Sequence, residues 1–147
     1  MVSFEQIRHH FKDRSPAYPQ DWPKPTIEEI QHIQKEFNII YPQQFIDFQI
    51  TECFTTPIGD FAFDGFGWAN SQLEPYLNLR TIVDDAFSIG VPKIYSPFKG
   101  DNSDYYCFTE NDKIVVWDHN SGSLEQNKEY QWDSFTDWIY KTMESKY

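Results

Sequence analysis

The sequence predicts an α+β fold, in which N-terminal helices and a C-terminal helix pack on one face of a mostly antiparallel sheet of about five to six strands. Two observations carry this prediction. Apolar residues recur with helical spacing over residues 3–12 and 26–52 and again after residue 133, whereas alternating apolar residues and turn residues fill most of residues 53–132. Helices followed by short strands and a final helix are typical of an α+β domain.

Length and composition indicate one domain. A chain of 147 residues supports one hydrophobic core and is short for two. Aromatic residues make up 18% of the chain, so Phe, Tyr and Trp rings must supply much of that core. We divide the chain into a short helix with a proline-rich extension over residues 1–25, packed on the domain, and the α+β domain itself over residues 26–147.

The first 25 residues predict a helix and then an extended connection. Ser3 and Gln6 have the spacing of a capping box at the start of a short helix. Residues 13–25 contain four prolines, which block a helix and favour an extended chain.

The clearest helix begins at Thr26, with Glu29 three residues later and acidic residues in its first turn. Pro42 ends the connection after this helix and is well placed to open another over residues 43–52. The apolar stripe of the first of these helices is Ile27, Ile30, Ile33 and Phe37.

Strand-like alternation follows Glu52, where Asp64-Gly65 is a strong signal for a hairpin turn. Residues 70–90 are ambiguous between a short helix and an irregular crossing, and Gly90 would stop a helix there. The alternating apolar residues around the hairpin signal are Phe61, Phe63, Phe66 and Trp68.

Three further strands are predicted over residues 91–95, 104–108 and 113–119, with a turn over residues 110–112 between the last two. The final helix is expected to begin after a cap at Asp133 or Ser134.

The charge of the chain limits its partners. A net charge of −11 argues against nucleic-acid binding, which needs a cationic surface, and against binding to anionic membranes. The same charge favours encounter with a basic protein, although many acidic proteins have no such partner. Cys53 and Cys107 form no C-x-x-C motif, and neither a signal peptide nor an apolar run of membrane length is seen. We therefore expect a cytoplasmic protein with free thiols.

The stretch GDNSDYYCFTENDKIVVWDHNSG, residues 100–122, contains the best candidates for chemistry. Asp101, Asp104, Asp118 and His119 suit a metal site or an acid/base pair, and they equally suit turns. The calcium-loop pattern fails, because Tyr106 stands where that loop needs Gly. Gly and short polar residues are typical of turns, so we favour turns and predict neither a metal nor a cofactor.

The sequence also lacks the motifs of common catalytic sites. His119 has no partner in a recognisable hydrolase or metal motif, and no nucleotide-binding glycine motif occurs. Cys107 falls on a predicted strand, where a thiolate gains no help from a helix N-terminus. We predict that the protein is not an enzyme, while a hydrolase or metal enzyme centred on Asp118 and His119 stays open as an alternative.

Five segments in this order resemble the SUKH superfamily, in its Smi/Knr-like branch, from Thr26 to Met143. The segments are TIEEIQHIQKEFNIIYP, QQFIDFQI, GDNSDYYCF, KIVVWDH and DSFTDWI. The sequence departs from the family at Thr51-Glu52-Cys53, where members commonly carry an Asn-Gly or Gly-Gly turn. The first 25 residues look like a local extension of the family's domain.

The resemblance implies a bacterial immunity protein, which is a small cytoplasmic partner that binds a secreted toxin's effector domain, such as a nuclease, and blocks it without a cofactor. Fungal relatives regulate cell-wall assembly, so an intracellular adaptor is the alternative. The oligomeric state stays open. Charge and loop placement suggest these residues as contacts to the partner: Asp60, Asp64, Trp68, Asp84, Asp85, Asp101 and Asp104.

Overall fold

The computed structural model of the protein describes residues 1–16, 18–57 and 64–146. Within these ranges it has the predicted α+β architecture, with five α-helices and a five-stranded antiparallel sheet. The helices are α1 (Phe4–His10), α2 (Ile27–Phe37), α3 (Gln43–Ile50), α4 (Leu79–Ser88) and α5 (Phe135–Lys146). The strands are β1 (Ser96–Asp101), β2 (Asp104–Phe108), β3 (Ile114–Asp118), β4 (Ser123–Leu124) and β5 (Gln131–Trp132).

The predicted helix starts are confirmed by their caps. Ser3 Oγ accepts a hydrogen bond from the Gln6 N–H at 3.1 Å, and Gln6 Oε1 accepts one from the Ser3 N–H at 2.8 Å. Thr26 Oγ1 accepts from the Glu29 N–H at 3.3 Å. These bonds satisfy N–H groups that have no partner within a helix, which is why the cap residues mark helix starts so well.

The start of α5 also fixes the N-terminus of the chain. Ser134 Oγ accepts from the Asp137 N–H at 3.2 Å, as its spacing predicted. The Asp137 carboxylate accepts a hydrogen bond from the Val2 N–H at 3.0 Å, so the first residues are held against α5. Ile7, Phe11 and Tyr18 are buried in the core, and the N-terminal segment therefore packs on the rest of the domain.

The sheet has the order β1-β2-β3-β4, and β5 also pairs with β3. The first hairpin turns at Asn102 and Ser103, which both have positive φ, at 51° and 71°. Asp112, with φ at 62°, lies in the second hairpin turn, inside the predicted residues 110–112. These conformations match the twist of an antiparallel hairpin.

The strand predicted over residues 91–95 is wrong, and the strand begins at Ser96 instead. Pro92 closes a turn by accepting a hydrogen bond from the Tyr95 N–H at 3.1 Å. Pro97 then lies inside β1, at a register shift between Pro97 and Lys99. Pro92 lies in the predicted strand and Pro97 in the observed one, so the unfavourable effect of proline on a strand does not distinguish the two segments.

Residues 65–67 extend the sheet beyond β1. The Gly67 N–H donates to the Phe98 carbonyl, the Gly100 N–H donates to the Gly65 carbonyl, and both distances are 2.9 Å. Phe66 forms an isolated antiparallel bridge with Lys99. The predicted strand residues Phe61 and Phe63 lie outside the described residues.

The core lies mainly on one face of the sheet, but the helices are not confined to that face. Phe108 of β2 and Ile114 of β3 join the main core cluster. Cys107 and Trp117 point to the other face, where they pack with Ala86 of α4 in a second cluster. The ambiguous stretch 70–90 therefore contains a real helix that reaches the second face. No helix among the described residues is long and apolar enough to cross a membrane.

Candidate functional site

A surface depression of about 190 Å³ lies beside the first hairpin turn, on the face of the sheet that carries the main core. We call it the acidic groove, and it is lined by Asp101, Asp104, Tyr106, Val116, Asp118, Glu125 and Tyr130. Four of these seven residues are carboxylates. The groove therefore concentrates negative charge around two tyrosine rings.

The hairpin register brings the acids of the groove together. Asp101 and Asp104 pair across the end of β1 and β2, and Asp118 ends β3. Glu125 follows β4, and its N–H donates to the Val116 carbonyl at 2.8 Å. The carboxylates thus come from three strand ends and from one loop that the sheet holds in place.

Tyr106 forms the floor between the acidic groove and the core. Its ring stacks on Trp132, with 5.8 Å between centroids, and Lys99 Nζ lies 4.9 Å from its centroid. Burial, together with the nearby Asp101, Tyr130 and Asp104, raises the pKa of Tyr106. The Tyr106 hydroxyl is therefore protonated at neutral pH and is available as a hydrogen-bond donor.

A second depression adjoins the acidic groove and shares Tyr106 and Tyr130 with it. Its volume is about 520 Å³, and it is also lined by Trp132, Lys128 and Lys141. The surface thus changes from strongly acidic near the first hairpin turn to mixed charge near α5. The exposed Tyr130 lies at the boundary.

Asp104 and Asp118 hold the loop that follows β3. Asp104 Oδ1 accepts a hydrogen bond from the His119 N–H at 3.0 Å and lies 2.7 Å from His119 Nδ1. The Asp118 carboxylate accepts from the N–H groups of Asn120 and Ser121 at 3.2 and 3.3 Å. Hydrogen bonds from the Ser121 side chain and from these two N–H groups lower the pKa of Asp118. This geometry is what the turn interpretation of these residues predicts.

The same three residues have the composition of a cation site. One ligand atom from each of Asp104, Asp118 and His119 lies within 4.8 Å of the others. Two carboxylate oxygens and one imidazole nitrogen suit several divalent cations. Their oxygens already accept hydrogen bonds from the loop backbone, so we assign them first to the structure of that loop.

The catalytic alternative would need a nucleophile beside His119. Among the described residues, His119 makes no hydrogen bond to a Ser or Cys side chain, and Ser121 Oγ pairs with Ser123 Oγ at 2.9 Å. Burial raises the pKa of the Cys107 thiol and raises the pKa of Cys53 to about 12. Both thiols are therefore buried and neutral, which is the opposite of an activated nucleophile.

The predicted contact residues divide between two surfaces. Asp101 and Asp104 lie in the acidic groove. Burial lowers the pKa of Lys99 of β1, and Asp101 and the exposed Asp64 lie near enough to oppose that shift. Asp84 and Asp85 are exposed on α4. Burial, and then the nearby Asp85, raise the pKa of Tyr105. The Tyr105 side chain points away from the face that carries Tyr106, so this acidic pair belongs to the other side of the sheet.

One predicted contact residue needs correction. Trp68 is only 2% exposed, and its ring packs edge-on against Tyr18 at 4.8 Å, so it belongs to the core. The sequence pattern placed it in an exposed hairpin, because it could not show that the N-terminal segment covers it. Asp60 lies outside the described residues.

The sequence reasoning missed Glu125, Tyr106 and Tyr130 as members of the acidic groove. Alternation along β2 does place Asp104 and Tyr106 on one face, so part of the signal was present. Glu125 and Tyr130 reach the groove only through the pairing of β3 with β4 and β5, which a single sequence does not show.

The fold and the acidic groove define a small α+β domain with an acidic, aromatic surface at one end of its sheet. The chain belongs to a family described as SUKH_5: SMI1-KNR4 cell-wall, whose model matches residues 4–144. This match confirms the resemblance to the SUKH superfamily. It also includes α1 and the proline-rich connection, which the sequence resemblance had left outside the family's domain.

A solved structure shares the fold. The chain is similar to a crystal structure of a protein from Pseudomonas syringae pv. tomato, with a TM-score of 0.67 and 18% sequence identity. The similarity covers 92% of this chain and 95% of that chain. None of the curated proteins compared matches the chain significantly.

Proposed function

We propose that the protein is a non-enzymatic immunity protein, which binds a basic toxin effector domain through the acidic groove and neutralises it in the cytoplasm. One observation carries the proposal. Among the described residues, no Lys or Arg forms an ion pair with Asp101, Asp104, Asp118 or Glu125. Asp104 is held by His119 and Asp118 accepts hydrogen bonds from the loop backbone, so the charge available to a partner comes chiefly from Asp101 and Glu125.

The chemistry of the acidic groove fits cationic side chains. Clustered carboxylates raise the rate of encounter with a basic surface, and the effect weakens as salt screens the charges. Tyr130 adds an exposed ring, which suits the guanidinium group of arginine, and Tyr106 and Tyr130 both add hydroxyl groups. A nuclease toxin, whose own surface must attract nucleic acid, is a partner of this kind. Membership of the SUKH family is consistent with this function.

A second candidate function is that of an intracellular adaptor that regulates cell-wall assembly. The description of the matched family, which names the cell wall, favours it. Such an adaptor would hold several endogenous proteins together, whereas an immunity protein would hold one toxin domain tightly.

Co-purification from the native cell separates these functions. The protein carries a C-terminal tag, and the complex is washed at moderate salt before its components are identified. One near-stoichiometric partner with a basic effector domain is expected. That domain is then expressed in a host with and without this protein, and growth is expected only when both are present. A set of endogenous cell-wall proteins, or a partner domain that is harmless alone, would contradict neutralisation.

Point variants are suited to mapping the interface, whereas deletion of the N-terminal segment is not. Deleting residues 1–24 would remove Ile7, Phe11 and Tyr18, which are buried in the core. A loss of binding after that deletion would therefore report unfolding. The double variant Asp101→Lys/Glu125→Lys is better suited, because neither side chain makes a hydrogen bond to the loop after β3 and the bonds of Asp104 and Asp118 are kept.

A further inference from the structure

An exposed apolar surface lies away from the acidic groove. We call it the isoleucine face, and it surrounds a depression of about 340 Å³ whose lining includes Ile40, Ile94, Lys93, Glu110, Ser96 and Thr109. Ile40 is 82% exposed and Ile94 is 63% exposed. Two large aliphatic side chains at the rim of one depression form an apolar patch, which differs from a single exposed side chain.

The exposure of Ile40 is built into the fold. Its neighbours Ile39 and Tyr41 are 5% and 2% exposed, so the connection between α2 and α3 is anchored on both sides of it. The Ile40 carbonyl accepts a hydrogen bond from Ser96 Oγ at 3.1 Å, and the Tyr41 N–H donates to Gln34 Oε1 at 2.8 Å. Because the backbone at Ile40 is already ordered by these anchors, little backbone entropy is lost when a partner covers its side chain.

The charges around the isoleucine face favour a second copy of this chain as the occupant. The lining of the face includes one cation, Lys93, and one anion, Glu110, beside its apolar residues. A two-fold axis brings a surface onto its own copy, so Lys93 of each copy can face Glu110 of the other. Two chains of charge −11 repel each other, and a surface with balanced charge is where they approach at the lowest electrostatic cost.

We propose that the isoleucine face is the contact of a two-fold symmetric homodimer. The contact leaves the acidic groove open, because the two surfaces lie at opposite ends of β2. Asp104, which lines the groove, is the first residue of β2. Thr109, which lines the isoleucine face, directly follows the last residue of β2. Each dimer therefore presents two grooves, and the proposal stands independently of what binds them.

Sedimentation velocity of the full chain over a concentration series tests the proposal. The expected result is a reversible change from monomer to dimer as the concentration rises. The variants Ile40→Asp and Ile94→Asp are expected to weaken the dimer about 30-fold or more, because each places two like charges at the centre of the contact. The control is Tyr76→Asp, which removes an exposed aromatic side chain outside the isoleucine face and is expected to leave the dimer intact.

Exchanging the charges of Lys93 and Glu110 tests whether these two side chains pair between the copies. Lys93→Glu alone and Glu110→Lys alone are each expected to weaken the dimer, and the double variant is expected to restore it, since both charges are then reversed in both copies. Circular dichroism confirms that each variant is folded. A chain that stays monomeric at the highest concentration reached, a dimer that survives both isoleucine variants, or a double variant no better than the single ones would overturn the proposal.

Discussion

Gly65 shows how a single residue holds the edge of the sheet. Its φ is +74°, and a Cβ atom built on it would lie 1.9 Å from the Gly100 carbonyl oxygen. Gly100 in turn donates its N–H to the Gly65 carbonyl, so the two backbones cannot separate without losing that bond. The close approach therefore depends on the missing side chain.

Gly65→Ala is expected to lower the free energy of unfolding by more than about 3 kcal/mol, because it adds a steric clash to an unfavourable backbone conformation. Gly122→Ala is the control. Its φ is +64°, but nothing lies within 4 Å of the added Cβ, so the expected loss is about 1 kcal/mol. Urea unfolding measures both. Equal losses of stability in the two variants would show that the close contact with Gly100 does not exclude a side chain at position 65.

The buried thiols predict how stability depends on pH. Burial raises the pKa of Cys53 and of Cys107 above the ordinary value of 9.0. In the unfolded chain these groups ionise near their ordinary values, whereas in the folded protein they keep their protons. Their contribution to stability is thus complete below about pH 8, falls as the pH rises above about 9, and is lost beyond the folded pKa.

Above the unfolded pKa, each such thiol is expected to lower the free energy of unfolding by about 1.4 kcal/mol per pH unit. Cys107→Ala is expected to reduce this alkaline slope. Val91→Ala, in the same cluster, should destabilise the protein by a constant amount and leave the slope unchanged. Urea unfolding at a series of pH values measures the slopes. An unchanged slope in Cys107→Ala would contradict the claim that burial keeps the Cys107 thiol protonated in the folded protein.

At the level of secondary-structure elements, Gln49 joins α3 to the loop that precedes α4. It is fully buried, its Nε2 donates to the Gly67 carbonyl at 2.8 Å, and its Oε1 accepts from the Ala69 N–H at 3.0 Å. One amide side chain thus satisfies two backbone groups that water does not reach. The helix thereby fixes the segment that extends the sheet.

Gln49→Leu is expected to cost about 2 to 5 kcal/mol of unfolding free energy, because it leaves two buried backbone groups without partners. Gln43→Leu on the same helix is the matched control. Gln43 is exposed and bonds only to the Asp47 carboxylate at 2.8 Å, so its loss should be below about 0.5 kcal/mol. Thermal and urea unfolding compare them. A small effect at Gln49 would mean that the loop does not depend on the helix.

The helices α1, α2, α3 and α5 were predictable from the sequence because their signals are local, whereas the stretch that contains α4 was ambiguous. Ser3, Thr26 and Ser134 lie within three residues of the groups they cap, and apolar stripes report the buried face directly. The start of β1 was not predictable, because both the predicted segment and β1 contain a proline and the pairing of β1 is set by residues elsewhere in the chain. Local sequence signals therefore predict the type of an element better than they predict the bounds and pairing of the strands.

The acidic groove was predictable only in part, for the same reason. Asp101 and Asp104 meet across a short hairpin, so their spacing in sequence reveals their spacing in space. Glu125 and Tyr130 reach the groove through strand pairing, and Trp68 is hidden by a segment some 50 residues before it in the chain. A site assembled from several loops can be predicted only when the pairing register of the strands is known.

At the scale of the whole molecule, the net charge of −11 is distributed over distinct surfaces. One acidic surface is the groove around Tyr106 and Tyr130, and another is the exposed pair Asp84 and Asp85 on α4. Long-range attraction to a basic partner depends on both, whereas short-range contact depends only on the surface that binds. Equal changes of charge on the two surfaces therefore distinguish steering from contact.

The most direct test of the account is the rate at which the partner recovered by co-purification associates with three forms of the protein. Asp101→Lys/Glu125→Lys is expected to slow association at low salt by about tenfold or more, to weaken its salt dependence and to speed dissociation. Asp84→Lys/Asp85→Lys, with the same change of charge, is expected to slow association less and to leave dissociation unchanged. If both double variants behave alike, or if the α4 variant has the larger effect, the acidic groove is not the binding site.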